Sequence, residues 1–239
     1  MTSPANFSTP YRIVTNAYQD AGLVRAGTNL NSDQLANGMM RLTDLINMWQ
    51  TTGLKLWTQV DQSITLVAGQ QTYTFGPSGT INMAKPLRAL QGYYLDSTGD
   101  NRRPIYPLAW NDWLNLSIIT SQGQINSYFV DKQLSLLSVK FWLIPDAEAA
   151  TGTAHLLLQQ QVTNFTGLTD TIDFPVEWLM ALRWGLADDL STGQPDSIQQ
   201  KCKGNATMYR SALDDWDVED APTSFQPDMR LGQGYGKFR

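Results

Sequence analysis

Between Leu42 and Phe75 the chain changes its hydrophobic period in mid-passage, and this limits what it can fold into. Leu42, Leu45, Ile46 and Trp49 recur at the three-to-four spacing of a helix that buries one face. Gly53 is suited to close that helix, because a residue without Cβ enters the left-handed conformation without a clash. Beyond it Ile64, Leu66, Tyr73 and Phe75 alternate with polar residues around Ala68-Gly69, which predicts a two-stranded hairpin. A chain that switches from period 3.6 to period 2 must join helices to a sheet. The residues that mark the switch are Trp, Gln, Thr and Gly, which build surfaces and carry little reactive chemistry.

The same two periods divide the rest. Ser8, Thr9 and Pro10 predict a helix start, with Tyr11, Val14, Tyr18 and Ala21 on one face and an end at Gly22. Ser32 is expected to cap a second helix over 33–52, in which Gly38 marks a close helix contact. Short strands follow over 62–67, 71–75, 87–95, 105–107, 127–130, 134–143 and 154–161, with a turn at 96–101 and a short helix over 109–119. Helical spacing returns with Asp173 as cap, Pro175 in the first turn and Trp178, Leu182, Gly185 and Leu186 as the apolar stripe. A last helix is expected over 195–216, before a tail rich in Gly and Pro. The fold class read from this order is α+β: an α-helical bundle body with an inserted small β-sandwich or barrel-like domain and an extended C-terminal arm. The divisions are 1–55 for the N-terminal α-hairpin, 56–168 for the β-rich insertion, 169–220 for the C-terminal helices and 221–239 for the arm.

Composition narrows the function. A net charge of −5 and a pI near 4.8 argue against a body that grips nucleic acid over its whole surface. Eight Trp, nine Tyr and eight Phe in 239 residues suit large cores and protein contacts. A single cysteine, Cys202, leaves no intrachain disulfide. The start lacks a basic region followed by an apolar run, so no signal peptide is expected, and no apolar stretch approaches the roughly 20 residues that cross a bilayer.

Four passages carry a resemblance: LINMWQTTGLKLWTQ at 45–59, GQQTYTFGP at 69–77, KPLRAL at 85–90 and DFPVEWLMALRWGLADDLSTG at 173–193. In this combination and order the chain resembles the head-to-tail adaptors (tail accessory factors, or packaged-DNA stabilisation proteins) of short-tailed bacteriophages. The resemblance implies a virion protein, made in the host bacterial cytoplasm, that docks as a homo-oligomeric ring of twelve beneath the portal protein. Such a ring extends the DNA channel, helps retain packaged DNA and gives a platform for the next tail component, a hub or nozzle. Genomic DNA would pass through without sequence-specific binding, and no membrane or cofactor is implied. The family supplies no catalytic motif, so catalytic, cofactor and metal residues are all expected to be none.

The candidate functional residues are therefore contact residues. Phe225, Arg230, Tyr235, Lys237, Phe238 and Arg239 interleave rings and cations in a candidate portal-binding arm. Trp57 and Trp113 are candidate interface aromatics. Asp214, Asp215, Asp217, Glu219 and Asp220 gather at a helix end, either as a solvated terminus or as acids lining the lumen or facing a basic partner. His155, the only histidine, reads as an ordinary strand residue, because no nucleophile-elbow pattern accompanies it. GQGYG at 232–236 lacks the strand and helix that a phosphate loop requires. Two alternatives stay open: another virion connector layer, such as a stopper or tail-completion protein, and a virion-carried wall-degrading hydrolase using carboxylates such as Glu177 or Asp112.

Overall fold

A computed structural model describes residues 9–52, 58–162, 167–170 and 174–216. Helix α1 spans Pro10–Asp20, and α2 spans Ser32–Thr51. Pro10 opens α1 behind Thr9, which makes no side-chain cap bond, and Gly22 leaves it at φ 72°. The cap of α2 is Asn31 rather than Ser32. Asn31 Oδ1 accepts from the Gln34 amide at 2.7 Å, and Gln34 Oε1 accepts from the Asn31 amide at 3.1 Å, so two otherwise orphaned donors are satisfied reciprocally. A Cβ on Gly38 would lie 2.4 Å from Val14 Cγ1, so glycine here lets α1 and α2 approach closely. Gly53, the expected stop of α2, lies outside the described residues, as do Ser8 and Asp173.

The strands are β1 (Gln59–Thr65), β2 (Thr72–Gly76), β3 (Ile81–Asn82), β4 (Arg88–Leu95), β5 (Arg102–Leu108), β6 (Gln122–Gly123), β7 (Ser127–Lys132), β8 (Leu137–Trp142), β9 (Ile144–Pro145) and β10 (Thr153–Gln159). Helix α3 (Trp110–Leu114) follows β5, and α4 (Trp178–Leu190) and α5 (Asp196–Trp216) close the chain. Eight strands form one sheet in the order β1-β10-β4-β5-β7-β8-β2-β3, while β6 and β9 make a separate parallel bridge. The hinge of this sheet is β5. Its residues 102–105 run antiparallel to β4, and residues 106–108 run parallel to β7. Pro104 and Pro107 lack the N–H that a strand paired along both sides would need, so they fit one that serves each neighbour with half its length. The two walls thus joined close over a shared core. Ile64, Tyr94, Leu156 and Leu158 come from one wall, and Tyr73, Phe75, Tyr128, Val139 and Phe141 from the other.

Two expectations fail here. A helical bundle body carrying a small β insertion is overturned: the large unit is the eight-stranded, nearly closed barrel-like sheet, and the described residues hold only five helices, of which α3 is a single short turn. The order of elements says nothing of size, because short strands add up to one large sheet only through pairings between distant segments. The hairpin expected around Ala68-Gly69 is absent too. β1 pairs with β10 and β2 with β8, so Ile64 and Tyr73 line opposite walls of the barrel. The turn at 96–101 does join β4 to β5, with Gly99 at φ 80°. Beside the sheet, α4 touches α1, α2 and α5 over a second core that includes Val14, Tyr18, Leu42, Ile46, Leu182 and Leu186.

Two predictions arise from this framework. Asp96 Oδ1 accepts from the Thr98 hydroxyl at 2.7 Å and the Gly99 amide at 3.0 Å, and Oδ2 accepts from Asn101 at 2.8 Å. Led by the bonds from Thr98 and Asn101, these donors hold its carboxyl down to about 2, below the ordinary 3.8. A depressed carboxylate contributes stability above its unfolded value and loses it as pH falls through the folded one. The β4–β5 turn should therefore keep its shape down to about pH 4 and loosen towards pH 2. A carboxyl-carbon NMR titration of Asp96 with an ordinary midpoint would contradict this. Tyr128 is fully buried and its hydroxyl has no hydrogen-bond partner among the described residues; burial pushes its pKa up to about 12. Tyr128→Phe removes a desolvated hydroxyl and should raise stability by up to about 1 kcal/mol in urea unfolding. A loss of that size would mean that the hydroxyl has a partner such as a bound water.

Candidate functional site

Strands expose alternate residues on opposite faces, and the register of β1, β10, β4 and β5 gathers a polar cluster on the outside of the barrel. Asp61 comes from β1, Thr153 and His155 from β10, Tyr93 from β4 and Arg102 from β5. The Tyr93 hydroxyl donates to Asp61 Oδ2 at 2.7 Å, and His155 Nδ1 lies 3.2 Å from Asp61 Oδ1. Thr153 Oγ1 lies 3.3 Å from His155 Nε2. The Tyr93 and His155 rings stack with centroids 4.6 Å apart and 7° between planes, and the Arg102 guanidinium carbon lies 4.8 Å from the Tyr93 centroid. Burial, then the hydrogen bond that Tyr93 donates to Asp61 and the charge of that carboxylate, push the Tyr93 hydroxyl above its ordinary value against the pull of Arg102. Beside this cluster a shallow hollow of about 380 Å³ is floored by Gly92, Pro104 and Leu157.

Thr153, His155 and Asp61 stand in the sequence hydroxyl–imidazole–carboxylate that nucleophilic catalysis uses. The backbone around them does not supply the rest. Such a reaction needs free N–H donors beside the nucleophile for the developing oxyanion. Thr153 and His155 lie on β10, which is flanked on both sides by ladder partners, β1 and β4. The cluster is a network of mutually satisfied surface groups, and His155 serves in it as a strand residue stacked on its cross-strand neighbour.

A different kind of surface lies between β5 and β7. Tyr106, Trp110, Leu114, Ile118 and Ile119 are all exposed, Trp110 at 58% and Leu114 at 65%. Trp110 and Leu114 stand four residues apart on α3, on one face of the turn. Trp113, the ring singled out from the sequence, points the other way: it is 6% exposed and stacks on Phe129 at 5.3 Å. The outward ring is Trp110, which touches Phe129 only edge-on at 5.0 Å. What distinguishes them is Phe129, against which Trp113 stacks. The sequence suggested a helix over 109–119, whereas the turn ends at Leu114 and leaves Ile118 and Ile119 in the open. The segment is held from behind, because Trp142 Nε1 donates to the Ile118 carbonyl at 3.1 Å and Gln71 Nε2 to that of Ile119 at 3.2 Å.

Of the remaining candidates, Asp214 accepts from Arg210 Nε at 3.0 Å within α5, and Asp215 is exposed. Asp217, Glu219 and Asp220, the arm residues Phe225, Arg230, Tyr235, Lys237, Phe238 and Arg239, and Trp57 lie outside the described residues. Asp112 sits on α3 and Glu177 at the start of α4, so the two carboxylates belong to separate elements. Among the described residues no group of three or more His, Cys, Asp or Glu is placed to hold a metal ion, and no helix is long and apolar enough to cross a membrane. No known protein-family model matches the chain, and no curated protein matches it significantly.

Proposed function

We propose that this chain is a structural protein of a tailed bacteriophage virion, a head-to-tail adaptor that acts by assembly. The observation that carries this reading is the exposed apolar surface from Tyr106 to Ile119. Several large side chains left open within one segment are the mark of a protein contact, because a monomer gains nothing from keeping them in water. The four passages that resemble the adaptor family support it, as does a surface cluster whose groups satisfy one another. In this reading a ring of copies, twelve in number, docks beneath the portal. The arm at 221–239 fastens each copy to the portal, and the surface around Trp110 receives the next tail component, a hub or nozzle. Each contact is weak alone, and the symmetry of the ring multiplies it.

The test is the mass of the protein mixed with purified portal rings, by light scattering coupled to size exclusion. The expected result is a saturable, ring-sized addition to the portal. Portal rings that elute at unchanged mass would sink the adaptor reading. Removing the residues after Ala221 is expected to abolish that addition while leaving the circular dichroism spectrum and the melting temperature unchanged. Full addition by the shortened chain would assign the docking to another surface.

A further inference from the structure

The barrel-like sheet has two edges, and they are not alike. At one end β3 is only two residues long. A very short edge strand is one way a sheet avoids unwanted pairing. At the other end β1 runs for seven residues with no proline and no lysine, and no described residue pairs with its outer side. Its one charge does not guard it. Asp61 is turned back over the sheet into the Tyr93 and His155 contacts.

The hydrogen-bond parity of this edge follows from two bonds. The Gln160 amide donates to the Thr58 carbonyl at 2.9 Å, and the Leu87 amide donates to the Gln159 carbonyl at 2.8 Å. An antiparallel strand turns alternate residues towards each neighbour. In the register Gln59↔Gln159, residues Val60, Gln62 and Ile64 therefore bond inward to β10, while Gln59, Asp61, Ser63 and Thr65 present N–H and C=O outward. The Ser63 carbonyl shows the demand. It takes a donor from its own neighbour, Gln62 Nε2, at 2.9 Å.

We propose that β1 is a self-pairing edge, at which a second copy of this chain adds its own β1 antiparallel about a two-fold axis at Gln62. That register sets Asp61 opposite the partner's Ser63, and Gln59 opposite the partner's Thr65. These are the four residues whose backbone groups point outward, so every one of them finds a ladder partner. The charge pattern is complementary as well. The only ionised side chain of β1 falls against a hydroxyl and never directly against its symmetry mate. A register shifted by two residues at the same parity would set either Asp61 or Ser63 against itself and leave outward groups unpaired. One seven-residue strand makes a small interface, so the dimer is weak and forms with rising concentration. The inference does not rest on the adaptor reading and concerns the protein free of other components.

Sedimentation equilibrium of the full chain, with hydrogen exchange followed across the same concentrations, tests it. The expected result is a monomer–dimer equilibrium at micromolar to millimolar concentration, with the amides of Asp61, Ser63 and Thr65 gaining protection as dimer forms. Ser63→Asp places like charges across the axis twice and should weaken the dimer roughly tenfold. Ser63→Lys places a cation opposite Asp61 and should not weaken it. Ser63→Pro removes an outward N–H and should abolish pairing. Because residue 63 faces solvent, the Asp and Lys variants keep the fold, and their opposite responses do not depend on the proline variant. A chain that stays monomeric throughout overturns the proposal. So does a dimer indifferent to Ser63→Asp, or protection of β1 that appears only when portal rings are added.

Discussion

Replacing Trp178 with alanine should lower the unfolding free energy by about 3–5 kcal/mol, the range for truncating a large buried aromatic ring. Trp178 is fully buried and ties three helices together. Its ring meets Trp49 of α2 edge-on at 6.1 Å and Phe174 at 6.2 Å, and packs with Ala181 of its own helix and Leu213 of α5. The Arg210 guanidinium carbon lies 4.4 Å from the Trp49 centroid and 5.6 Å from that of Trp178, so truncation strips part of the aromatic seat from a cation as well. For a chain of this size the melting temperature should fall by roughly 10 °C. Trp178→Phe refills most of the space and should cost clearly less. Differential scanning calorimetry of both variants decides the matter. A loss below about 1 kcal/mol for the alanine variant would mean that the helices are not organised around this ring.

The second large effect is on assembly. Trp110→Asp combined with Leu114→Asp puts two charges into the exposed apolar surface; under the proposed function, a complex of this variant with portal rings should bind the proposed next tail component at least about 100-fold more weakly. Aromatic anchors at the centre of a contact carry most of its energy, and a carboxylate must be desolvated to enter the same pocket. The fold should tolerate the change, because both side chains are more than half exposed and Trp110 gives up only its edge contact with Phe129. Trp113→Asp is the contrast. That ring is buried against Phe129, so the variant should fail by unfolding. Uptake of the tail component by the double variant at the original affinity would remove this surface from the assembly.

Legibility was uneven for particular reasons. Gly38 was readable as a close helix contact because an isolated glycine in a helical pattern is costly unless something packs on it. Trp113, the candidate interface ring, is buried, and the exposed ring of the same turn is Trp110. Trp110 and Trp113 share one short turn, and only the position of Phe129 decides which faces inward. The cluster of Asp61, Tyr93, Arg102 and His155 left no local signal, since it joins β1 to β10 across 94 positions of sequence.

By itself the sequence determined the kinds of element and most of their places. The helical spacing in α1, α2 and α4 and the strands β1, β2, β4, β5, β7, β8 and β10 follow from periodicity, which is a local property of neighbouring side chains, whereas the two-residue strands β3, β6 and β9 are too short to carry it. The tertiary structure alone decided which strands pair. Ile64 and Tyr73 look like the two arms of a hairpin, yet they face each other across the core from different walls, because β1 gains β10 and β2 gains β8 as partners. That choice depends on how all the apolar faces are buried at once, and no window of local sequence contains it. The same choice made the barrel, rather than the helices, the large unit of the molecule, and it left β1 as an end strand of the sheet.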